Sequence, residues 1–208
     1  MENFLQPHMN GSEINSVLDY GGDQGQFIPA TLGKEKFVFE LSDAQPVEGV
    51  MRIASEAGLD RRRFDLTMLL GVLEHCSDPL SVLLKVRALA YGPDSHILIG
   101  VPYEWYSLHG VGADGFYRWY IDILLKCAPL LKLVDFYSTV FRVRSYLIPP
   151  LGILKCHEHL NFFNEQSMAA LLRRAGMDLV ASSITQTCTY PARTFSLSVL
   201  AKPIKNGE

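Results

Sequence analysis

Val17-Leu18-Asp19-Tyr20-Gly21-Gly22-Asp23-Gln24-Gly25 takes the chain from an apolar strand that ends in an acid straight into a glycine-rich turn. Glycines at 21, 22 and 25 carry no β-carbon, so a ligand can approach the backbone closely. The N–H groups of the loop, and of a short helical stretch expected after it, can bind a carboxylate or a phosphate. A tight strand-to-helix connection would also need such a turn, so the reading rests on a second segment. Lys36-Phe37-Val38-Phe39-Glu40 is another apolar strand ending in an acid. It lies about 20 residues beyond the loop, where a carboxylate can take both hydroxyls of a ribose. Loop and acid together predict a nucleoside-binding site. The dinucleotide fingerprint G-x-G-x-x-G places its glycines differently, which leaves a nicotinamide-dependent oxidoreductase as the weaker alternative.

Outward from this loop, short apolar runs alternate with amphipathic stretches, the pattern of strand-helix-strand units around a mostly parallel sheet. Strands are predicted at 16–20, 36–41, 64–70, 95–101, 178–185 and 194–201, with a weaker one at 50–53. Helices are predicted at 79–91, opened by Asp78 with Pro79 in its first turn, and at 165–175, closed by Gly176. Residues 186–193, which include Pro191, are too few for a crossover helix and join the last two strands as an antiparallel hairpin. Between Tyr103 and Lys155 lies an aromatic-rich, proline-interrupted segment that reads as an insertion over the sheet. Phe116, Trp119, Tyr120, Ile123 and Leu124 recur at helical spacing and predict a helix over 115–127. Most of the insert's aromatics are expected to build a subsidiary core.

The 208 residues are 48% hydrophobic and 20% charged, enough for one domain with a real core. A formal charge of -3, from 19 basic and 22 acidic residues, offers no field for polyanions, so nucleic-acid partners are disfavoured. Arg61, Arg62 and Arg63 form the one basic cluster and read as a solvated loop. Cysteines at 76, 127, 156 and 188 show no C-x-x-C pair, and a cytoplasmic location is expected. No run approaches the length of a membrane span.

The order Asp19-x-Gly21-x-x-x-Gly25 resembles motif I of class I S-adenosylmethionine-dependent methyltransferases. The run from Phe64 to Pro79 resembles that family's fourth strand and the Leu73-Glu74-His75 turn after it, and Ile97-Leu98-Ile99-Gly100-Val101-Pro102 is similar to its fifth strand. His157-Glu158-His159-Leu160-Asn161-Phe162-Phe163, with Leu171-Leu172 and Ala175-Gly176-Met177, resembles the tail of bacterial small-molecule methyltransferases, which often act on sugars. The resemblance spans Val17 to Leu200 and is weakest over the insert. It implies an α/β, Rossmann-like class I methyltransferase fold. The mostly parallel seven-stranded sheet would end in the antiparallel hairpin, in one domain over 1–208 with a lid at about 103–156.

By that resemblance S-adenosylmethionine is the cofactor. Asp19, Gly21, Gly22 and Gly25 would surround its methionine part, Glu40 with adjoining Leu41 would bind the ribose, and Leu70, Gly71, Leu73 and Glu74 would run beneath the sulfonium. The acceptor implied is a small molecule, foremost a sugar or sugar-nucleotide hydroxyl. Methyl transfer to a hydroxyl needs alignment and a base near neutrality, and His75, His157 and His159 are the candidates. Each has a plain alternative role, His75 capping its turn and the other two tying the insert to the body. Cys156-His157-x-His159 also reads as a metal cluster, but it lacks a fourth ligand, so no metal is expected.

Tyr103, Trp105 and Tyr106 follow the fifth strand directly and are expected to face the acceptor. The insert is mildly basic, which suits a phosphorylated or lipid-linked substrate; a protein interface is an alternative, and a membrane-surface contact a lesser one. Asp23 stands where the family commonly has glycine, beside the cofactor's own carboxylate. The short stretch before the first strand leaves the pocket-closing helices truncated, absent, or supplied by a second copy or a partner chain. Those two departures motivate the competing reading of a non-catalytic methyltransferase-like module acting in protein assembly.

Overall fold

The computed structural model describes residues 1–9, 14–103, 115–145, 159–188 and 194–204. Seven strands form one sheet: β1 Ser16–Tyr20, β2 Glu35–Phe39, β3 Met51–Ile53, β4 Leu66–Leu70, β5 His96–Pro102, β6 Met177–Cys188 and β7 Thr194–Pro203. Their order is β3-β2-β1-β4-β5-β7-β6. The first five are parallel, and β7 runs antiparallel between β5 and β6. This is the α/β sheet with a terminal hairpin that the strand pattern predicts.

Helices α2 Glu56–Asp60, α3 Pro79–Ala88 and α6 Glu165–Arg174 accompany one face. Asp78 caps α3 by accepting from the Ser81 N–H, and Asn164 with Ser167 forms a capping box on α6. Leu83 and Val86 of α3 and Met168 and Leu172 of α6 bury against Leu69, Ile97, Ile99 and Val199 of the sheet. Leu59 of α2 joins Leu18, Phe37, Ile53 and Phe64.

The opposite face departs from expectation. No helix follows the glycine turn: residues 21–34 form successive tight turns closed by Gly25 N–H to Gly22 O (2.8 Å), Ile28 N–H to Gly25 O (3.2 Å) and Leu32 N–H to Pro29 O (3.1 Å). Gly21, Gly22, Gly25, Pro29 and Gly33 disfavour a helix there, and Pro46 and Gly49 do the same over 40–50. This face is covered instead by Ile28 and Val50 from those loops and by Leu5 and Met9 of the N-terminal stretch, over Val17, Val38, Met68 and Leu98. The stretch itself is short: α1 Glu2–Leu5 runs into a 3-10 turn, Gln6–His8.

Within the insert α4 is Gly115–Lys126, close to prediction, and α5 is Ala128–Ser145, which was not predicted. Pro129 lies in the first turn of α5, where its missing N–H has no intrahelical partner to lose. Three hydrogen bonds to one carboxylate oxygen anchor the strand starts that lead to the site. Asp65 Oδ2 accepts from the Asn15 and Ser16 N–H groups (2.9 Å each) and from Ser16 Oγ (3.0 Å), locking β1 beside β4. No helix among the described residues is long and apolar enough to cross a membrane.

Candidate functional site

The carboxyl ends of β1, β2 and β4 lie side by side, because parallel pairing sets Asp19 opposite Val38 on one side and Met68 on the other. Asp19 is fully buried, and neither of its oxygens has a hydrogen-bond partner. Burial pushes its carboxyl up from 3.8 to about 6. Directly over it sits Gly22, where a β-carbon would fall 2.1 Å from the Asp19 carboxyl carbon. Gly25 has φ +73° and a β-carbon there would lie 2.8 Å from Val50 Cγ1; Gly21, also at +73°, has Val72 Cγ2 at 3.1 Å. The turn is thus moulded by residues that only glycine can be, above a buried acid without a partner.

Asp23 is the one described non-glycine residue with positive φ, +54°. That left-handed backbone is the reason a glycine suits the position. The residue is exposed. Asp23→Gly is expected to stabilise the chain by about 0.5–1 kcal/mol, the relief of the left-handed penalty less the entropy of a freer unfolded chain, which thermal melting would read.

Glu40 follows β2 and is half buried. The Ser42 N–H donates to its Oε1 at 2.8 Å and holds its carboxyl below the usual range, with a further contribution from the Asp23 backbone N–H. The acid therefore reaches back to the glycine turn. Arg52 of β3 ties down the same bend, its Nε donating to Glu40 O (3.3 Å) and its Nη2 to Ser42 O. Leu41 is largely exposed at the rim.

After β4, Gly71 (φ +72°) turns the chain into a 3-10 turn, Leu73–His75. Leu73 and Glu74 are buried and His75 is half exposed, its Nε2 3.9 Å from Glu74 Oε1. His159 comes from far along the chain to set its ring 5.2 Å from that of His75. Its segment is docked by the Leu160 and Asn161 N–H groups on Glu74 O (2.7 and 3.1 Å) and by Asn161 Nδ2 on Leu73 O and Cys76 O (3.1 and 2.6 Å). Glu74, His75 and His159 present ligand-type atoms within 4.8 Å of one another. Cys156 and His157, the rest of the sequence-level metal cluster, lie outside the described residues, as do Trp105 and Tyr106. Tyr103 is buried in the core and bridges to Phe163.

A cavity of about 550 Å³ opens beside this turn. Leu70, Gly71 and Glu74 form one wall, and Phe4 of α1 adds an apolar side. Its floor is the sheet, where Ser183 pairs with Ser198 and Thr185 with Ser196, so four hydroxyls line it. Sequence reasoning missed these residues. The signal was present as a period-2 alternation, Ser183-x-Thr185 and Ser196-x-Ser198, which sets hydroxyls on one face of each strand. That the two sets meet follows only from register.

The chain matches the family model described as a methyltransferase domain over residues 4–182. Among solved structures it is similar to a proposed methyltransferase from Bacillus halodurans C-125, at 13% identity and TM-score 0.60, covering 98% of each chain. It is also similar to a SAM-dependent methyltransferase from Methanosarcina mazei (11% identity, TM-score 0.58, 98% of each chain). A third is the Burkholderia thailandensis 1,6-didemethyltoxoflavin-N1-methyltransferase, solved with 1,6-didemethyltoxoflavin and S-adenosylhomocysteine. It shares 20% identity at TM-score 0.56, over 98% of this chain and 76% of that one. No protein of curated function matches the sequence.

Proposed function

The chain belongs to the methyltransferase-domain family and is an S-adenosylmethionine-dependent methyltransferase, and from that premise we propose that it methylates a hydroxyl of a small polyhydroxylated acceptor, foremost a sugar or sugar nucleotide. The observation that carries this reading is the turn after β4: Leu70, Gly71 and Glu74 line the hydroxyl-floored cavity, while Val72 among them lies 3.1 Å from where a β-carbon on Gly21 of the glycine turn would fall. A sugar ring offers both apolar faces and hydroxyls, matching apolar Phe4, Leu70 and Leu98 and the hydroxyl-bearing Ser183, Thr185, Ser196 and Ser198 among the residues that line the cavity. A small-molecule acceptor also agrees with the toxoflavin-type substrate bound by one structural relative.

The residues fit the cofactor. Asp19, a buried acid lacking a partner, is suited to the ammonium of its methionine part, and Gly21, Gly22 and Gly25 let the turn pack down onto Val72, Asp19 and Val50 around it. Glu40, held ionised at the rim with Leu41 beside it, is suited to the ribose hydroxyls. Leu70, Gly71, Leu73 and Glu74 would then run under the reacting centre. The bound cofactor supplies an activated methyl carbon on sulfur, so the protein's task is alignment and proton removal. His75, half exposed beside the cavity wall, would take the proton of the acceptor hydroxyl. Glu74 and His159 orient its ring, and His157 is the remaining base candidate.

The first test is calorimetric titration of the purified chain with S-adenosylmethionine and S-adenosylhomocysteine. Gly21→Arg, which adds bulk where φ is +73°, is expected to abolish binding, and Glu40→Ala to weaken it roughly tenfold or more through two lost charge-assisted hydrogen bonds. Binding unaffected by both would remove the assigned cofactor site. With a sugar acceptor found by screening, His75→Ala is expected to lower kcat by about 10²–10⁴-fold without changing cofactor affinity. An unaltered kcat would exclude His75 as the base.

A further inference from the structure

Helix α5 carries its apolar stripe on the outside. Leu133, Phe136, Tyr137, Val140 and Phe141 follow the i, i+3, i+4, i+7, i+8 spacing of a single helix face and are 37–67% exposed. On another side of the same helix Ser138 is fully buried, its hydroxyl turned back to Val134 O, and Thr139 is half buried with its hydroxyl on Asp135 O. A helix folding onto a protein core would show the reverse. Among the described elements the principal partner of α5 is α4, which adds exposed Trp119 and Leu125. Applied to aromatic side-chain areas of about 150–250 Å², these exposures give a stripe on the order of 500 Å², at the upper end of what a monomer displays.

Charge identifies the occupant. Residues 115–145 hold Arg118, Lys126, Lys132, Arg142 and Arg144 against Asp122 and Asp135, a net +3 in a chain of net -3, so the remainder carries -6. Lys126, Lys132 and Arg144 are exposed around the stripe. A second copy docked through the same stripe would set these cations against themselves. An anionic lipid surface instead attracts this segment and repels the acidic remainder, and takes up apolar and aromatic side chains flanked by basic ones. No described helix is apolar and long enough to span, which leaves α5 to lie in the interface. We propose that α5, with Trp119 of α4, docks the protein on an anionic membrane surface. The proposal stands independently of the acceptor assignment, and it would bring the cavity to substrates carried at that surface.

The test is co-sedimentation of the full chain with phosphatidylcholine vesicles, with and without phosphatidylglycerol, at low and high salt. Phe136→Asp/Val140→Asp is the comparison, and both changes are at exposed positions. The parent is expected to partition onto the anionic vesicles, salt-sensitively, and the double variant to partition at least about tenfold less. Cofactor titration of the same samples reports folding and the active site separately. In a Trp105→Phe chain Trp119 is the sole tryptophan, and its emission is expected to shift to the blue on vesicle addition. Absence of partitioning by the folded parent, or partitioning equal in the double variant, overturns the proposal. So does a dimer seen by light scattering that the double variant dissociates, which would assign the stripe to a second copy.

Discussion

Asp19→Asn is expected to stabilise the free chain at pH 7 by about 1–2 kcal/mol while weakening S-adenosylmethionine binding by roughly 10- to 100-fold, the worth of a charge-assisted bond. In the folded chain the carboxyl titrates at about 6 rather than 3.8, since burial without a partner disfavours its charge. A folded-state pKa raised above the unfolded value means that the native chain binds the extra proton between these two values. Stability from this group is therefore greatest below about pH 4 and falls as pH rises toward 6. Each unit is worth about 1.4 kcal/mol, so the ionised group carries a penalty of about 3 kcal/mol, part of which an unsatisfied amide would retain. Chemical denaturation of parent and variant from pH 3.5 to 8 checks it. The variant should be the less stable chain by about 1–2 kcal/mol at the acid end, where the parent's carboxyl is protonated, and the difference should climb by about 3 kcal/mol to its full stabilising value by pH 7. A variant destabilised at pH 7 would mean that Asp19 is satisfied in the free protein.

The same acid has a ligand-linked signature. An ammonium beside it favours the carboxylate, so cofactor affinity should rise with pH through 6 in the parent and lose that dependence in Asp19→Asn. Stability given up at one buried charge is what a preorganised binding site requires.

Gly22→Ala is expected to destabilise by about 3 kcal/mol or more, the overpacking of a well-filled core at a position that cannot shift freely. The added carbon would fall 2.1 Å from the Asp19 carboxyl, which is itself fully buried on the central strand. Removing the obstacle should remove the effect. Asp19→Ala/Gly22→Ala is predicted to be more stable than Gly22→Ala alone, with a coupling of about 2–3 kcal/mol in the double-mutant cycle. Additive effects would show that the turn, and not the acid beneath it, makes glycine necessary. Neither single variant should retain tight cofactor binding, which the same calorimetry reads.

Much of this architecture was legible in local windows. The apolar runs at 16–20, 66–70 and 96–101 pattern as buried strands, and Asp78-Pro79 and Gly176 punctuate helices through mechanisms confined to one turn. The acid at the end of β1 and the glycines after it mark a ligand-bearing turn because their geometry is fixed by neighbouring residues. The helix expected after that turn fails for an equally local reason: four glycines and a proline within 21–34 outweigh the usual habit of parallel crossovers. Helix α5 is hidden in the sequence because a proline interrupts the apolar pattern at 129, a position that proves to be the helix's first turn.

What the sequence alone determined, then, was the order of the strands, the capped helices α3 and α6 with α4 of the insert, the terminal hairpin and the residue types at the glycine turn, all encoded within spans of a few to twenty residues. Tertiary structure decided the rest. That β7 inserts between β5 and β6 brings Ser196 and Ser198 over the sheet beside Ser183 and Thr185, and makes a hydroxyl-lined floor from two unremarkable alternations. Docking of Asn161 on the Leu73–His75 turn gathers His159 to Glu74 and His75 from 84 and more residues away in the chain. Such convergence depends on register between distant segments, which no local pattern carries, and the exposed stripe of α5 depends likewise on which face its neighbours leave uncovered.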